Sequence, residues 1–274
     1  MPELPEVETA RRTLEQLVVD KTIEDITVRW PKIIKFDEGV DRFIERLKGQ
    51  TFRSIGRKGK FLMFYLDGDV IVSHLRMEGK FSVKPETEPD DKHTHVIFHL
   101  KNGEQLRYND VRKFGTMHLF KEGQEYDTPP LTLVGPEPFD ESFTLEYFKE
   151  KVQRSSRMIK NILLDQSVVA GLGNIYVDET LFKAGVHPER RGSSMEDIEL
   201  VRIQQAAAET LLEAVEKGGS TIRSYVNSQG KIGTFQKQLL VYSQQGTPCP
   251  NCGREIIKIK VGGRGTHICT ACQR

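Results

Sequence analysis

The sequence predicts a multi-domain α+β protein, and three observations carry that prediction. Short alternating β-type runs fill residues 22–120, helical periodicity replaces them after a proline-rich break, and residues 249–274 hold all four cysteines. A first helix is expected from Pro5, because proline suits a first turn and Glu3, Glu6 and Glu8 suit the positive end of a helix dipole. Val7, Ala10, Leu14 and Leu17 then share one face. Strand-like runs follow at 22–28, 61–66, 70–75, 95–100, 105–108 and 116–120, punctuated by Asp67-Gly68-Asp69 and Lys101-Asn102-Gly103. Their order predicts an antiparallel sandwich or barrel, with 84–92 as an acidic surface loop. Pro129-Pro130 and Gly135-Pro136-Glu137-Pro138 mark a linker. Helices are expected at 144–152, 158–164, 175–184 and 195–217, the last stopped by Gly218-Gly219. Residues 220–234 have no clear period and read as a loop, and the chain from Leu239 reads as β-like. The boundaries expected from this pattern are 1–130, 131–235 (with the loop at 218–235) and 236–274.

Charge is informative in its distribution. The net value is only +1, yet residues 249–274 carry five basic groups (Arg254, Lys258, Lys260, Arg264, Arg274) against Glu255. Arg53, Arg57, Lys58 and Lys60 form a second cluster, and Arg107, Arg112 and Lys113 a third. Local patches of this kind can bind phosphates without a basic whole-chain charge. No apolar run approaches the ~20 residues of a membrane span, and Met1-Pro2-Glu3-Leu4-Pro5-Glu6 lacks the basic and apolar regions of a secretory signal. A cytoplasmic location is expected.

Cys249-Pro-Asn-Cys252 and Cys269-Thr-Ala-Cys272 have the spacing of a four-thiolate zinc site on two turns joined by a hairpin. So short a tail cannot bury a core, and metal ligation would supply its folding energy. Two disulfides or a redox pair would be the alternative, which a cytosolic setting disfavours. Four protein ligands leave no position for water, so the zinc is expected to be structural. Gly262-Gly263-Arg264-Gly265-Thr266 lies at the expected hairpin tip, where Arg264 could fork onto a phosphate.

Met1 precedes a small residue, so its removal is expected, leaving Pro2 as a secondary amine. An α-amino group titrates at about 7.7–8.0, against about 10.4 for lysine, so far more of it is nucleophilic near neutrality. Such an amine can attack a sugar C1′ and form an iminium ion, with Glu3 and Glu6 beside it to move protons.

The string Pro2-Glu3-Leu4-Pro5-Glu6-Val7-Glu8-Thr9 resembles the N-terminus of the bacterial formamidopyrimidine-DNA glycosylases, also called 8-oxoguanine DNA glycosylases. Arg57-Lys58-Gly59-Lys60-Phe61, Ser73-His74-Leu75-Arg76-Met77-Glu78-Gly79, Asp110-Val111-Arg112-Lys113-Phe114-Gly115, Gly171-Leu172-Gly173-Asn174-Ile175-Tyr176 and Lys217-Gly218-Gly219-Ser220-Thr221 resemble that family's motifs in order. The resemblance spans essentially the whole chain. It implies an N-terminal antiparallel β-sandwich with flanking helices, a helical helix–two-turn–helix domain and a C-terminal zinc-ribbon hairpin.

The resemblance also implies roles. Pro2 would be the nucleophile, Glu3 the general acid/base, Lys60 a catalytic phosphate contact and Glu6 a supporting acid. His74, Asn174 and Arg264 would hold phosphates around an extruded nucleotide. Met77, Arg112 and Phe114 would fill the gap it leaves and contact the orphaned base. Without that resemblance, Met77 and Phe114 read as core. Ser220 and Ser224 would belong to a lesion-recognition loop. One structural zinc on Cys249, Cys252, Cys269 and Cys272 is implied, with no catalytic metal. The implied partner is double-stranded DNA carrying an oxidised purine or an abasic site, bound by a monomer in the bacterial cytoplasm and nucleoid. Two further readings are an endonuclease VIII-type enzyme for oxidised pyrimidines and a non-catalytic damaged-DNA-binding protein of the same fold. Leu4-Pro5-Glu6-Val7 and Arg112-x-Phe114 favour the purine enzyme over the first, and the presence of Pro2, Glu3 and Lys60 weighs against the second.

Overall fold

Alternation of apolar side chains in the first 121 residues produces two sheets sharing one core, described here from a computed structural model covering residues 1–220 and 233–274. Helix α1 (Leu4–Val18) leads into β1 (Ile23–Val28), β2 (Ile34–Lys35) and α2 (Gly39–Leu47). Seven strands follow: β3 (Ser54–Lys58), β4 (Phe61–Tyr65), β5 (Asp69–His74), β6 (Lys80–Pro85), β7 (Thr94–Leu100), β8 (Glu104–Asn109) and β9 (Thr116–Lys121). One sheet has the order β1-β7-β8-β6 and the other β2-β9-β5-β4-β3. Pairing is antiparallel except for the short parallel match of β2 with β9. The sheets meet through residues such as Phe64 on β4 and Phe81 on β6, whose ring centroids lie 5.0 Å apart.

The β5–β6 connection and the β8–β9 connection each carry the chain from one sheet to the other.

A second unit comprises Leu133–Gly219 and Thr234–Arg274. It contains α3 (Leu145–Gln153), α4 (Ile159–Leu163), α5 (Asn174–Ala184), α6 (Asp197–Glu216) and the hairpin β10 (Ile257–Val261) and β11 (Arg264–Ile268). Thr144 caps α3 by accepting the Tyr147 N–H at 3.1 Å. Helix α5 ends on Gly185 in the left-handed region, φ 70°. The helix–two-turn–helix is α4, the turns of 164–173 and α5. Val168 N–H closes one turn on Asp165 O, and Gly171 takes φ 96°.

The ribbon expected over 236–274 does not stand apart. Buried Glu179 on α5 accepts three consecutive backbone N–H groups, from Leu240, Val241 and Tyr242 at 2.8–3.0 Å. Burial pushes its carboxyl above the usual range, and those three donors pull the other way. The β-like pattern from Leu239 is realised only in β10 and β11. Residues 235–238 form a 3₁₀ turn, and bends lead from there to the first cysteine pair.

Candidate functional site

The amine position is built by the start of α1. Pro2 is buried and Met1 before it is exposed. Glu3 is the N-cap residue of α1 and forms a reciprocal capping box with Glu6, whose carboxylate accepts the Glu3 N–H at 2.8 Å. The other Glu6 oxygen accepts the Ser220 N–H at 2.7 Å. Glu6 thus ties the helix start to Ser220, which groups with the first unit. Ser224 lies outside the described residues.

Lys60 lies in the turn between β3 and β4. Helix α1 packs along β3, with Glu8 on Arg57 at 3.0 Å and Arg11 on the Ile55 carbonyl at 3.2 Å. Helix numbers rise as strand numbers fall. Stepping back from Glu8 to Glu3 covers about 7.5 Å of helix, the length of roughly two strand residues. On that register the start of α1 runs towards the Gly59-Lys60 turn, where Gly59 takes φ 56° so that β3 can reverse into β4. Glu3, Glu6 and Lys60 are all at most 4% exposed, unusual for charged side chains and a mark of a built site.

His74 ends β5. Its Nδ1 accepts the Arg76 N–H at 2.9 Å, and its ring meets Phe61 edge-on. Burial, reinforced by Arg76, Lys60 and His118, pulls its pKa down to about 3. The imidazole is therefore neutral with its proton on Nε2, a donor suited to a phosphate oxygen at any ordinary pH. The same depression makes a stability prediction. Protonation is favoured in the unfolded chain at about 6.5 and in the folded chain only near 3. The folded state therefore loses stability as pH falls from 6.5 towards 3, by on the order of 5 kcal/mol for the full shift. Denaturation midpoints should show the advantage of the parent over His74→Asn shrinking across that window. A pH-independent difference would contradict the assignment.

The basic clusters are less available than the sequence suggests. Arg107 is buried, and its guanidinium is taken up by the Gln105 side chain and the carbonyls of Pro85, Glu88 and Pro89, so it staples the acidic loop. Arg57 pairs with Glu8 and Arg53 with Asp67. Arg112 remains exposed on the β8–β9 loop, its guanidinium 4.7 Å from the Phe114 ring centroid. Phe114 is 51% exposed and Met77, on the β5–β6 loop, 38%. Both apolar tips stand outside the core, against the core reading of the bare sequence.

Asp110, on the β8–β9 loop, anchors that loop. Its buried carboxylate accepts the N–H groups of Arg112, Phe114 and Gly115 at 2.9–3.0 Å and the Tyr108 hydroxyl at 3.3 Å.

In the second unit Asn174 opens α5 after Gly173, and its side-chain amide donates to the Gly265 carbonyl at 2.9 Å. That bond braces the hairpin beside Arg264. The hairpin tip itself is Gly262-Gly263, both at positive φ, and Arg264 is the first residue of β11, paired with Val261. Beneath it lies a group that sequence reasoning missed. Fully buried Lys160 on α4 donates to Asp178 Oδ1 at 2.6 Å and Thr266 Oγ1 at 2.8 Å. The second Asp178 oxygen accepts the His267 N–H at 2.9 Å.

The four cysteine sulfurs lie within 4.8 Å of one another, with Cys249–Cys272 at 3.8 Å and Cys252–Cys269 at 3.4 Å. A tetrahedron of zinc–sulfur bonds of about 2.3 Å has edges of about 3.8 Å, so the donor set fits one zinc ion. Gly253, at φ 75°, lets its N–H turn back onto the Cys249 carbonyl at 2.9 Å, closing the first knuckle. Cys252→Ser should lower zinc affinity by more than the ~10–100-fold that outer-shell changes cost, and weaken DNA binding with it. Zinc release assays and DNA titration read both. Tight DNA binding by metal-free protein would contradict a role for the ribbon.

Comparison with known proteins supplies the family. Three family models match in order: the formamidopyrimidine-DNA glycosylase N-terminal domain over 1–117, its H2TH domain over 134–226, and the zinc finger found in FPG and IleRS over 246–274. The formamidopyrimidine-DNA glycosylase of Oceanobacillus iheyensis is 59% identical over 273 residues, covering 100% of this chain and 98% of the relative. That of Bacillus subtilis is 56% identical, covering 100% and 99%. Among solved structures, a Lactococcus lactis FPG variant in complex with Fapy-dG containing DNA superposes with a TM-score of 0.94 at 42% identity, covering 100% of both chains. The L. lactis enzyme with abasic-site DNA gives 0.92 at 41%, covering 99% of both. The buried group at the start of α1, the four-thiolate ribbon and matches over the full length have one explanation: the chain belongs to the formamidopyrimidine-DNA glycosylase family.

Proposed function

We propose that this chain excises 8-oxoguanine and formamidopyrimidines from duplex DNA and then cuts the abasic strand, acting as a monomer on the bacterial chromosome. The observation that carries the reading is the burial of Pro2, Glu3 and Glu6 at the start of α1 and of Lys60 at the β3–β4 turn. Once Met1 is removed, the Pro2 nitrogen is a secondary amine at the positive end of a 15-residue helix, where the dipole disfavours the ammonium form. The amine attacks C1′ of the extruded nucleotide. The C1′–base bond breaks as the amine bond forms, and the base leaves with the proton the amine gives up; protonation of O4′ then breaks the C1′–O4′ bond, and an iminium ion joins protein to the opened sugar. Glu3 delivers the proton that opens the sugar ring and takes protons in the eliminations that follow, first β then δ. Lys60 holds the adjacent phosphate, Glu6 keeps Glu3 and Ser220 in place, and neutral His74 donates to a neighbouring phosphate. Asn174 and Arg264 hold phosphates from the second unit, while Met77, Arg112 and Phe114 occupy the gap in the duplex. The zinc ion fixes the ribbon and takes no part in bond breaking.

Borohydride reduction tests the proposal, because it freezes an iminium ion as a stable amine. Covalent trapping is expected on 8-oxoguanine opposite cytosine, and Pro2→Gly should reduce base release strongly. Trapping confined to thymine glycol duplexes would move the specificity to oxidised pyrimidines. No trapping on any damaged duplex would remove the catalytic reading.

A further inference from the structure

Two loops that leave the core at different points of the chain rest on one oxygen atom. Tyr108 on β8 is fully buried, and its hydroxyl donates to Asp110 Oδ2 at 3.3 Å. A Cβ placed on Gly115 would lie 1.6 Å from that hydroxyl, and a Cβ placed on Gly79 would lie 2.3 Å from it. Neither glycine needs an unusual φ, so close approach is what excludes a side chain: to the phenol at Gly115, and to both the phenol and the Leu75 carbonyl, 2.5 Å away, at Gly79. Gly79 ends the β5–β6 loop that carries Met77. Gly115 ends the β8–β9 loop that carries Arg112 and Phe114.

The second loop is clamped further, since the Asp110 carboxylate collects the N–H groups of Arg112, Phe114 and Gly115. The first loop has its own closure, from Gly79 N–H to the Leu75 carbonyl at 3.0 Å. The tips are exposed while their common base is not: Phe114 and Met77 are 51% and 38% accessible, Tyr108 and Asp110 0% and 1%. Burial beside Asp110 drives the phenol far above its ordinary pKa, so the hydroxyl keeps its proton and its donor role.

We propose that Tyr108 is a positioning residue, with Asp110 as its partner, that sets the Met77 and Arg112/Phe114 tips as a single rigid wedge. Eviction of the damaged nucleotide and contact with the orphaned base are then one event. This rests on the reading of those tips as the gap-filling group. A wedge of fixed spacing fits a single vacated base step, whereas two independently mobile loops would each lose conformational entropy on insertion. Tyr108 touches no DNA in this scheme and acts only through the loops.

The test uses Tyr108→Phe in the full zinc-loaded chain, which removes one oxygen and keeps the ring. Single-turnover excision of 8-oxoguanine opposite cytosine should fall about tenfold, the scale of one buried hydrogen bond. Discrimination between cytosine and adenine opposite the lesion should narrow by a similar factor. Strand cleavage at an abasic site in single-stranded DNA, where no gap has to be filled, should stay within about twofold of the parent. A merely structural role for the hydroxyl would lower both activities together and leave discrimination intact, and that result overturns the proposal. Gly115→Ala supplies a second readout, because its methyl meets the hydroxyl first: its penalty on duplex excision should be smaller in the Y108F background, and additivity would count against the contact. Met77→Ala and Phe114→Ala separate the two levels. If they slow duplex excision and Tyr108→Phe does not, the positioning role fails and the wedge reading stands. If they leave duplex excision unchanged, the wedge reading fails and the proposal with it.

Discussion

Glu3→Gln is expected to slow base release by about 10²–10⁴-fold, the range that a positioned acid/base contributes, while leaving the fold intact. The reason lies in the double duty of Glu3. It caps α1 within the capping box and is the group proposed to protonate the sugar ring oxygen. A glutamine has the same length, and its amide oxygen can still accept the N–H that the carboxylate accepts, so the cap survives. It cannot deliver a proton. Chemistry and stability therefore separate: unfolding free energy should fall by no more than about 1 kcal/mol, the usual value of a cap, while single-turnover rates collapse. Duplex affinity should be close to that of the parent, because the phosphate contacts proposed for Lys60, His74, Asn174 and Arg264 are untouched. A variant that keeps its rate within a few-fold would assign the acid role elsewhere, and Glu6 is held too firmly by the Glu3 and Ser220 N–H groups to take it over.

The layout of this site was legible because its residues are local in sequence. Pro2, Glu3 and Glu6 share one helix start, the cysteines declare their ligand set by spacing, and the helices of 144–217 follow their apolar period closely. Elements whose identity is decided by distant partners were not legible. Strand β3 reads Ser-Ile-Gly-Arg-Lys and lacks a strand signature. It is a strand because α1 lies on it through Glu8 and Arg57, and because β4 pairs along its length. Strand β6 is masked by its lysines and by Pro85, tolerable only because β6 is a sheet edge. Helix α2 begins on Gly39 without a side-chain cap and buries only Phe43 and Leu47. The charge clusters misled for the same reason. Whether Arg107 meets water or three carbonyls depends on a loop some twenty residues away, and nothing in its immediate sequence says so. Asp110, Tyr108 and Lys160 were passed over because a lone polar residue inside an apolar stretch gives no sign of what it will hold.

Lys160→Met is expected to destabilise the second unit by about 3–5 kcal/mol, the cost of breaking a buried ion pair from one side. The side chain is fully buried, as is Asp178, so the carboxylate left behind would stay buried without its cation. Lys160 also joins three elements, since it holds Asp178 of α5 and Thr266 of β11 from its own place on α4. Its loss should therefore loosen the hairpin next to Arg264 as well as lower the unfolding midpoint. Zinc should leave the variant faster, because Cys269 follows β11 directly. Asp178→Asn in the same chain should restore part of the stability by removing the stranded charge, although the His267 N–H would then bond a weaker acceptor. Denaturant unfolding of the single and double variants, with zinc release followed in parallel, gives the coupling directly. A double variant no better than the sum of the singles would mean that the pair is neutral to the fold.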